Sequence, residues 1–563
     1  MKYFYPVLLL AWCFSCAGKK TDQATAPSNG GTKPGLTEQT DSLLIRQQLQ
    51  KYNLDSIAIG SVIRFYADTV GNHSPYALVW SKGGTMHALA SMFINLVNHA
   101  QDDGLPTKEY YSEDLERLYL AATDSVHSEK ITGQPLRQEL DALLTASFLT
   151  YAPRLWKGKI DPLKARWFIA GKSFDYHRIL VSLLNGSLSF ATFEPLHREY
   201  GRLRKALQTY RQIAQAGGWP LLPAGQYQNL ADEANREVIF ALKKRLQLTQ
   251  DIPRDAAIDS TFDESLTQGL KKFQQRHGLA TTGTLTAKTL AQLNVPVERR
   301  INQILLNMER WRWIPAGKPG TYLGINIPEF VLHVFENNRQ VWQMDVIVGK
   351  AATATTIFDD EIEYVVLNPT WGVPHSIAVG EVLPKLRASA DYLPNHRMEL
   401  FAEVSNVAIN PAQIDWNTTT ASNFRYTIRQ QPGPGNPLGR IKFLLPNSYD
   451  IYLHDTPGRG MFNRSERGFS HGCIRLSDPF ALQAYLMRGD SLWTPAKVQQ
   501  TLKEGKEQYI RLKTKIPVFL AYFTAWQDST GTVQFREDIY GHDARLAADL
   551  FQRPGQALHS PVL

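Results

Sequence analysis

Gly468-Phe469-Ser470-His471-Gly472-Cys473-Ile474-Arg475-Leu476 holds the one cysteine that lies beyond residue 16 of this 563-residue chain. A histidine stands two places before Cys473, an arginine two places after, and a glycine directly ahead. A second histidine, His454, lies upstream in Tyr452-Leu453-His454-Asp455-Thr456-Pro457. A lone thiol with two candidate bases and a fork-shaped cation reads as a nucleophile for acyl transfer, which needs a thiolate, a proton acceptor and donors for the developing oxyanion. A free cysteine titrates near ~8.5, so an adjacent imidazole raises its reactive fraction.

His454 and His471 are both candidates for that imidazole. His471 and Cys473 are two residues apart, so on a regular strand they share a face and compete for the role, whereas a sharp turn at Gly472 separates them. Gly472 lacks a Cβ beside the sulfur, which lets the backbone N–H groups of Gly472 and Cys473 approach an oxyanion. Arg475 suits a carboxylate in a bidentate fork. Other readings of the same residues are a zinc site built from His454, His471, Cys473 and Asp455, an inert core cysteine, and a Ser470 nucleophile. Against them stand the missing paired-ligand spacing of structural zinc sites, the polar neighbours of Cys473, and the absence of a Gly-x-Ser-x-Gly elbow.

The N-terminus makes an unpaired thiol costly to keep. Lys2 precedes an apolar run, Val7 to Phe14, too short to span a bilayer and fitting a signal-peptide core. Ser15-Cys16-Ala17-Gly18 follows, which resembles a bacterial lipoprotein signal with Cys16 as the lipidated residue; cleavage after Ala17 is the alternative. Either route predicts export, and in an oxidising compartment structural cysteines come in pairs. Residues 17–41 are rich in Ser, Thr, Gly and Pro and read as a flexible tether. The composition is otherwise globular, with 43% hydrophobic and 20% charged residues. A formal charge of +8 favours acidic partners, but no Lys/Arg cluster supports nucleic-acid binding.

Length predicts several domains. From 42 to 230 helical periodicity dominates: Leu140, Leu143, Leu144, Phe148 and Leu149 form one stripe, and 86–99 and 196–213 read as further helices. Residues 231–297 carry three helical stripes, with Val238, Leu242 and Leu246 on the first, Leu266, Leu270 and Phe273 on the second, and Leu285, Leu290 and Leu293 on the third. After 298 the period changes. A helical connector ending in Glu309-Arg310-Trp311-Arg312-Trp313 leads to strands at 331–335 and 341–348 around an Asn337-Asn338 hairpin turn, then at 362–367, 440–445 and 450–453. Residues 375–426 read as an irregular polar insertion over the sheet, 518–526 with 533–535 as a last hairpin, and 542–563 as a tail.

Two resemblances follow from these motifs. Phe273, Gln274, Gly278, Leu279 and Gly283 are similar to the signature of peptidoglycan-binding-like domains, with Thr282 where an Asp is usual and Thr286 in place of a later Gly. Ser470-His471-Gly472-Cys473-Ile474-Arg475 with upstream His454 resembles the L,D-transpeptidase catalytic domain of the YkuD type. The domain order, Asn307 to Trp313, Pro432-Gly433-Pro434 and His454-Asp455-Thr456-Pro457 resemble its large, YcbB-like branch. One departure is Thr356-Ile357, where smaller relatives show Thr-Pro.

The resemblance implies a multidomain α+β protein: a helical scaffold, a three-helix peptidoglycan-binding-like domain, and a mainly-β catalytic domain over 298–541 with its capping insertion. It implies Cys473 as nucleophile and His454 as proton acceptor and donor, with Gly472, His471, Ser470, Arg475 and Tyr452 shaping the oxyanion and substrate pocket. The implied reaction joins peptidoglycan stem peptides 3→3 through a thioester, without metal or other cofactor, at a bacterial membrane reached by the lipid anchor. An L,D-carboxypeptidase or amidase using the same cysteine and a non-catalytic wall-binding scaffold are the alternatives.

Overall fold

The computed structural model describes residues 78–551 apart from 83–84, 124–132, 191–196, 226, 228–229, 231, 316–319 and 390, together with 47 and 50–52. The signal and tether readings, Cys16 included, lie outside the described residues. The scaffold is built on α1 (Ala88–Asn98), α2 (Ser112–Thr123) and α3 (Gly133–Trp156). The α3 stripe is realised: Leu140, Leu143, Leu144 and Phe148 are fully buried. The helix is also apolar or satisfied on its other faces, as a helix surrounded by protein must be. Asp141 accepts the backbone N–H groups of Val79 and Trp80, at 2.9 and 2.6 Å, and so pins the chain entering the domain.

The scaffold then reaches across to the catalytic domain. Trp167–Phe168 forms β1, a short strand that the periodicity did not predict, and Trp167 packs edge-on against Trp313 and Phe523. After α4 (Tyr176–Leu184), helix α5 (Arg198–Gln215) leaves the scaffold core altogether. Its buried face of Tyr200, Leu203, Leu207 and Tyr210 packs with Ile304 and Met308 of the connector and with Ala525 and Phe535. Residues 42–230 are therefore not one helical body; the last helix belongs to the joint between domains.

The three-helix reading of the next domain corresponds to α6 (Arg236–Leu248), α7 (Glu264–Arg276) and α8 (Ala287–Leu293). Its signature residues are structural. The buried Gln274 amide accepts Gly283 N–H at 2.8 Å and donates to the Thr284 carbonyl at 2.8 Å, which fastens the turn where Gly283 has φ 73°. Helix α9 (Val297–Trp313) connects this domain to the sheet.

The domain that follows is a closed ring of strands. In chain order they are β2 (Thr321–Asn326), β3 (Val331–Glu336), β4 (Arg339–Gly349), β5 (Ile357–Leu367), β6 (Ile441–Leu444), β7 (Leu453–His454), β8 (Gly468–Ser470), β9 (Ile474–Leu476) and β10 (Gln508–Ala521). Neighbours around the ring run β6-β7-β9-β4-β3-β2-β10-β5, and β5 pairs again with β6 to close it; β1 and β8 add at the margins of β5 and β4. Closure leaves few free edges. Asn337 and Asn338, at φ 47° and 63°, make the predicted β3–β4 hairpin turn with both central residues left-handed. Met344, Val346 and Val348 face the core with Val365, Leu367, Phe443, Leu453 and Ile474.

Three expectations are corrected. The insertion is a small folded unit over 371–430, wider than 375–426. It has a four-stranded sheet of Trp371–Val373, Met398–Ala402, Ala408–Ile409 and Tyr426–Gln430, and a core that includes Leu383, Leu386, Leu393, Leu400, Trp416, Phe424 and Ile428. Val518 to Ala521 belongs to β10, and only Ala525–Gln527 pairs with Val533–Phe535 as a hairpin. The described part of 542–563 is a helix, α10 (His542–Leu550), rather than a tail.

Helix α10 is held through charge. Asp543 forms an ion pair with Arg310 of α9 at 2.6 Å and accepts the Thr524 hydroxyl at 2.7 Å. Arg310 is almost wholly buried, so removing it strands a carboxylate in the interior. Arg310→Met is expected to cost about 3 to 5 kcal/mol in urea unfolding, and Asp543→Asn in the same background to recover part of that loss.

Candidate active site

The turn between β8 and β9 carries Cys473. Gly472 sits there at φ 119°, a backbone conformation that residues with a Cβ avoid. A Cβ at this position would meet only the Thr353 carbonyl, at 3.9 Å, so the glycine answers to backbone conformation rather than to crowding. Ser470 straps the turn: its hydroxyl donates to the Cys473 carbonyl at 2.6 Å and accepts Gly472 N–H at 3.1 Å. Thr355 fixes it from below, donating to the Gly472 carbonyl at 2.7 Å while accepting Gly349 N–H at 2.9 Å. Gly349 is required for that approach, since a Cβ there would lie 2.1 Å from the Thr353 carbonyl oxygen.

The strap alters one expectation. Gly472 N–H is committed to Ser470, so it is not a free oxyanion donor in this structure. The Cys473 N–H has no hydrogen-bond partner among the described residues.

Strand register gathers the other side chains. β7 runs parallel to β9, with Leu453 opposite Ile474 and His454 opposite Arg475. Leu453 and Ile474 face the core with no exposed surface. Alternation therefore turns Tyr452, His454, Cys473 and Arg475 to the opposite face. The Tyr452 phenol lies beside the Cys473 sulfur and favours its anion, and Trp371 of the insertion acts on the same phenol. The sulfur also lies 3.5 Å from the Asp450 carbonyl, which the left-handed Asp450 (φ 55°) turns towards it. Burial pushes the Cys473 thiol up, against the pull of the Tyr452 backbone and phenol and of the Lys442 charge.

His454 is buried, and its Nδ1 is 2.5 Å from the Asp455 carbonyl. A carbonyl can only accept, so Nδ1 carries the proton. Burial drives the imidazole down to about 3, with help from the Arg475 and Lys442 charges and against the Asp455 and Pro437 carbonyls. The ring is thus neutral at physiological pH, 5.7 Å from the Tyr452 ring centre, and its one N–H goes to the Asp455 carbonyl rather than to the sulfur. Asp455 anchors this strand end: its carboxylate accepts Arg440 N–H at 2.8 Å, Thr456 N–H at 2.7 Å and the Arg459 guanidinium at 2.6 Å.

His471 points elsewhere. Its Nε2 is 3.0 Å from Glu381 of the insertion. Glu381 sits in a widened, π-helical turn over Ala378–Val382, just before Pro384, whose missing N–H leaves the Gly380 carbonyl without its helical partner. Arg475 is half-buried, and its Nε has no partner. The zinc grouping does not assemble: Asp455 is tied to Arg459, His471 to Glu381, and among the described residues no three His, Cys, Asp or Glu groups converge. Lys442, Trp371 and Glu381 were missed in the sequence. Lys442 lies in a strand that was recognised, but a single lysine in a strand carries no signal of its own.

Comparison with known proteins agrees with this geometry. Residues 320–498 match the family described as "L,D-transpeptidase catalytic domain". The chain carries a YkuD-type L,D-transpeptidase catalytic domain. Residues 61–207 match a "Scaffold domain" and 235–293 a "Putative peptidoglycan binding domain". A Haemophilus influenzae protein named "Putative L,D-transpeptidase" is 33% identical over 255 residues, covering 45% of this chain and 51% of that one. The chain thus spans about half the length of this curated relative. Among solved structures, an L,D-transpeptidase from Stackebrandtia nassauensis aligns at 14% identity and TM-score 0.21, over 53% of this chain and 92% of that one. One from Mycobacterium smegmatis aligns at 11% identity and TM-score 0.17, over 36% and 58%.

The burial of neutral His454 makes stability depend on pH. Its folded pKa lies below the unfolded value of about 6.5, so between the two only the unfolded chain takes the proton. The stability present above that value is lost as pH falls towards the folded one. Relative to His454→Gln, the wild-type protein is expected to lose about 2 kcal/mol between neutral pH and about pH 5, measured by urea titration at each pH.

Proposed function

We propose that this protein is a peptidoglycan L,D-transpeptidase that forms 3→3 crosslinks through a cysteine thioester. The observation that carries the reading is the common sheet face of Cys473, Tyr452, His454 and Arg475, with the phenol beside the sulfur. The Cys473 sulfur attacks the carbonyl between the third residue of a donor stem, a diamino acid, and its terminal D-Ala. The C–N bond breaks, D-Ala leaves with a proton, and a thioester remains. The side-chain amine of a second stem's diamino acid then displaces the sulfur.

His454, unprotonated at its Nε2, serves as the proton acceptor and donor. The Cys473 N–H is the donor left for the oxyanion. Arg475, with an unpaired Nε on the same face, suits a stem-peptide carboxylate. Trp371 and Glu381 bring the insertion onto the site, and a cover that excludes water favours the amine over hydrolysis.

Incubation with disaccharide-tetrapeptides and mass spectrometry test the reading. Dimer mass with loss of D-Ala is expected; loss of D-Ala alone would make the protein an L,D-carboxypeptidase, and no change a wall-binding scaffold. Cys473→Ala is expected to abolish all product with unfolding unchanged. His454→Ala is expected to slow acylation about 100-fold or more, far beyond His471→Ala; the reverse order would reassign the base.

We further propose that the protein is exported and held at a membrane by a lipid on Cys16. Cys16→Ala is expected to move it into the soluble fraction of cells, and a variant that stays with membranes refutes the anchor.

A further inference from the structure

Lys442 of β6 is in register with His454, which is in register with Arg475. Register partners on adjacent strands share a face, so Lys442, His454 and Arg475 form one row across three strands. Ile347 and Val366 continue that row at either end and are fully buried. The Lys442 ammonium stands 3.8 Å from the centre of the Tyr452 ring, and the Tyr452 phenol favours the Cys473 thiolate. No carboxylate or hydrogen-bond acceptor pairs with Lys442 among the described residues. The groups that face it are Tyr452 and His454 from β7, Cys473 and Arg475 from β9 and its turn, Asp450 from the preceding loop, and Glu507 at the start of β10. Neither acid closes to an ion pair with it.

A half-buried ammonium without a counter-ion is expensive, and an aromatic ring offsets only part of that cost. Burial lowers the Lys442 pKa, and the negative charge of a Cys473 thiolate opposes that shift. His454, kept neutral between two cations, supplies no resting positive charge to balance a thiolate. The charge is already present one strand away.

We propose that Lys442 is the positioning residue of the nucleophile: its ammonium, stacked on Tyr452, holds the phenol on the Cys473 sulfur and balances the thiolate. The inference rests on the reading of Cys473 as nucleophile. The resting step is loss of the S–H proton to water, with no other bond changed. A substrate carboxylate drawn to Lys442 would instead alter KM and leave the thiol of the free enzyme untouched.

The test is alkylation of the full chain by iodoacetamide, an uncharged probe, from about pH 5 to about pH 10, read by mass on the tryptic peptide 468–475. Lys442→Met is expected to move the alkylation midpoint up by about one pH unit, a drop of about tenfold at neutral pH. Lys442→Arg keeps the charge and the ring contact and is expected to restore most of the rate. An unchanged midpoint in Lys442→Met overturns the proposal. So does an equal rise in both variants, which would report lost packing rather than lost charge. If Lys442→Met fails to fold by circular dichroism, Lys442→Gln is read by the same criteria. Alkylation needs no wall substrate, so a negative result here leaves the transpeptidase reading standing, whereas a normal alkylation profile without crosslinked product does the reverse.

Discussion

A slip of one residue in the parallel pairing of Leu453-His454 with Ile474-Arg475 would turn Cys473 and His454 into the barrel core and Leu453 and Ile474 out to the cleft. Side chains alternate along a strand with a period of two, so register alone decides which set is buried. The apolar set holds it: Leu453, Ile474, Phe443 and Leu476 are all fully buried in one cluster. Asp455 adds a polar stop, because its carboxylate binds Arg440 N–H, Thr456 N–H and Arg459 at once. Gly439 must be a glycine beside it, at φ 60° and with a Cβ that would lie 2.3 Å from the carboxylate. The chemistry of the site is in this sense a by-product of core packing on the other face of two short strands.

Helix α9 performs the equivalent service between domains. Glu309 accepts the backbone N–H of Ile160 at 2.8 Å and pairs with Arg312 at 2.8 Å. Arg312 also donates to the Asp103 carbonyl and, at 2.9 Å, to the Tyr200 hydroxyl. Arg310 turns the other way to Asp543. Charges this deep repay their desolvation only in well-fixed geometry, so the network favours a single arrangement of scaffold, α5, α10 and barrel over sliding alternatives. Lys288 extends the same logic outward, pairing α8 of the small domain with Glu466, only a few residues before the catalytic turn.

The parts of this fold that were legible in the sequence are those specified locally. Asn337-Asn338 announces a hairpin because two consecutive left-handed residues suit that turn, and the stripes of α3, α6 and α7 announce helices because their burial is one-sided or continuous over many turns. The insertion escaped because its strands are two to five residues long and pair across gaps in the chain, Met398–Ala402 with Tyr426–Gln430, so no window holds enough alternation to register. β1 escaped for the same reason, as two residues borrowed from a helical domain. Helix α10 is short, and its docking depends on Arg310, more than 200 residues upstream. At the site, the Gly-Cys-x-Arg motif and His454 were visible as residue types. The commitment of Gly472 N–H to Ser470, and the capture of His471 by Glu381, are set by three-dimensional partners and had no sequence signal.

The electrostatics of the cleft follow from where these elements meet. A thiol pushed up by burial is a poor nucleophile unless something favours its anion. In a thiolate–imidazolium pair that something is the histidine, but a proton on His454 would sit between Arg475 and Lys442, both cationic and neither paired with a carboxylate. Two fixed positive charges thus do opposite things to the two reacting groups: they favour the sulfur anion and disfavour the imidazolium. The balance sets the base free to take a proton only when a bond is forming, and it leaves an electropositive floor for a substrate that brings carboxylates of its own. Under the transpeptidase proposal, a stem-peptide carboxylate at Arg475 would cancel part of the field that, with burial, keeps His454 neutral. Binding of the anionic donor would then raise the basicity of the imidazole at the moment the sulfur's proton must leave.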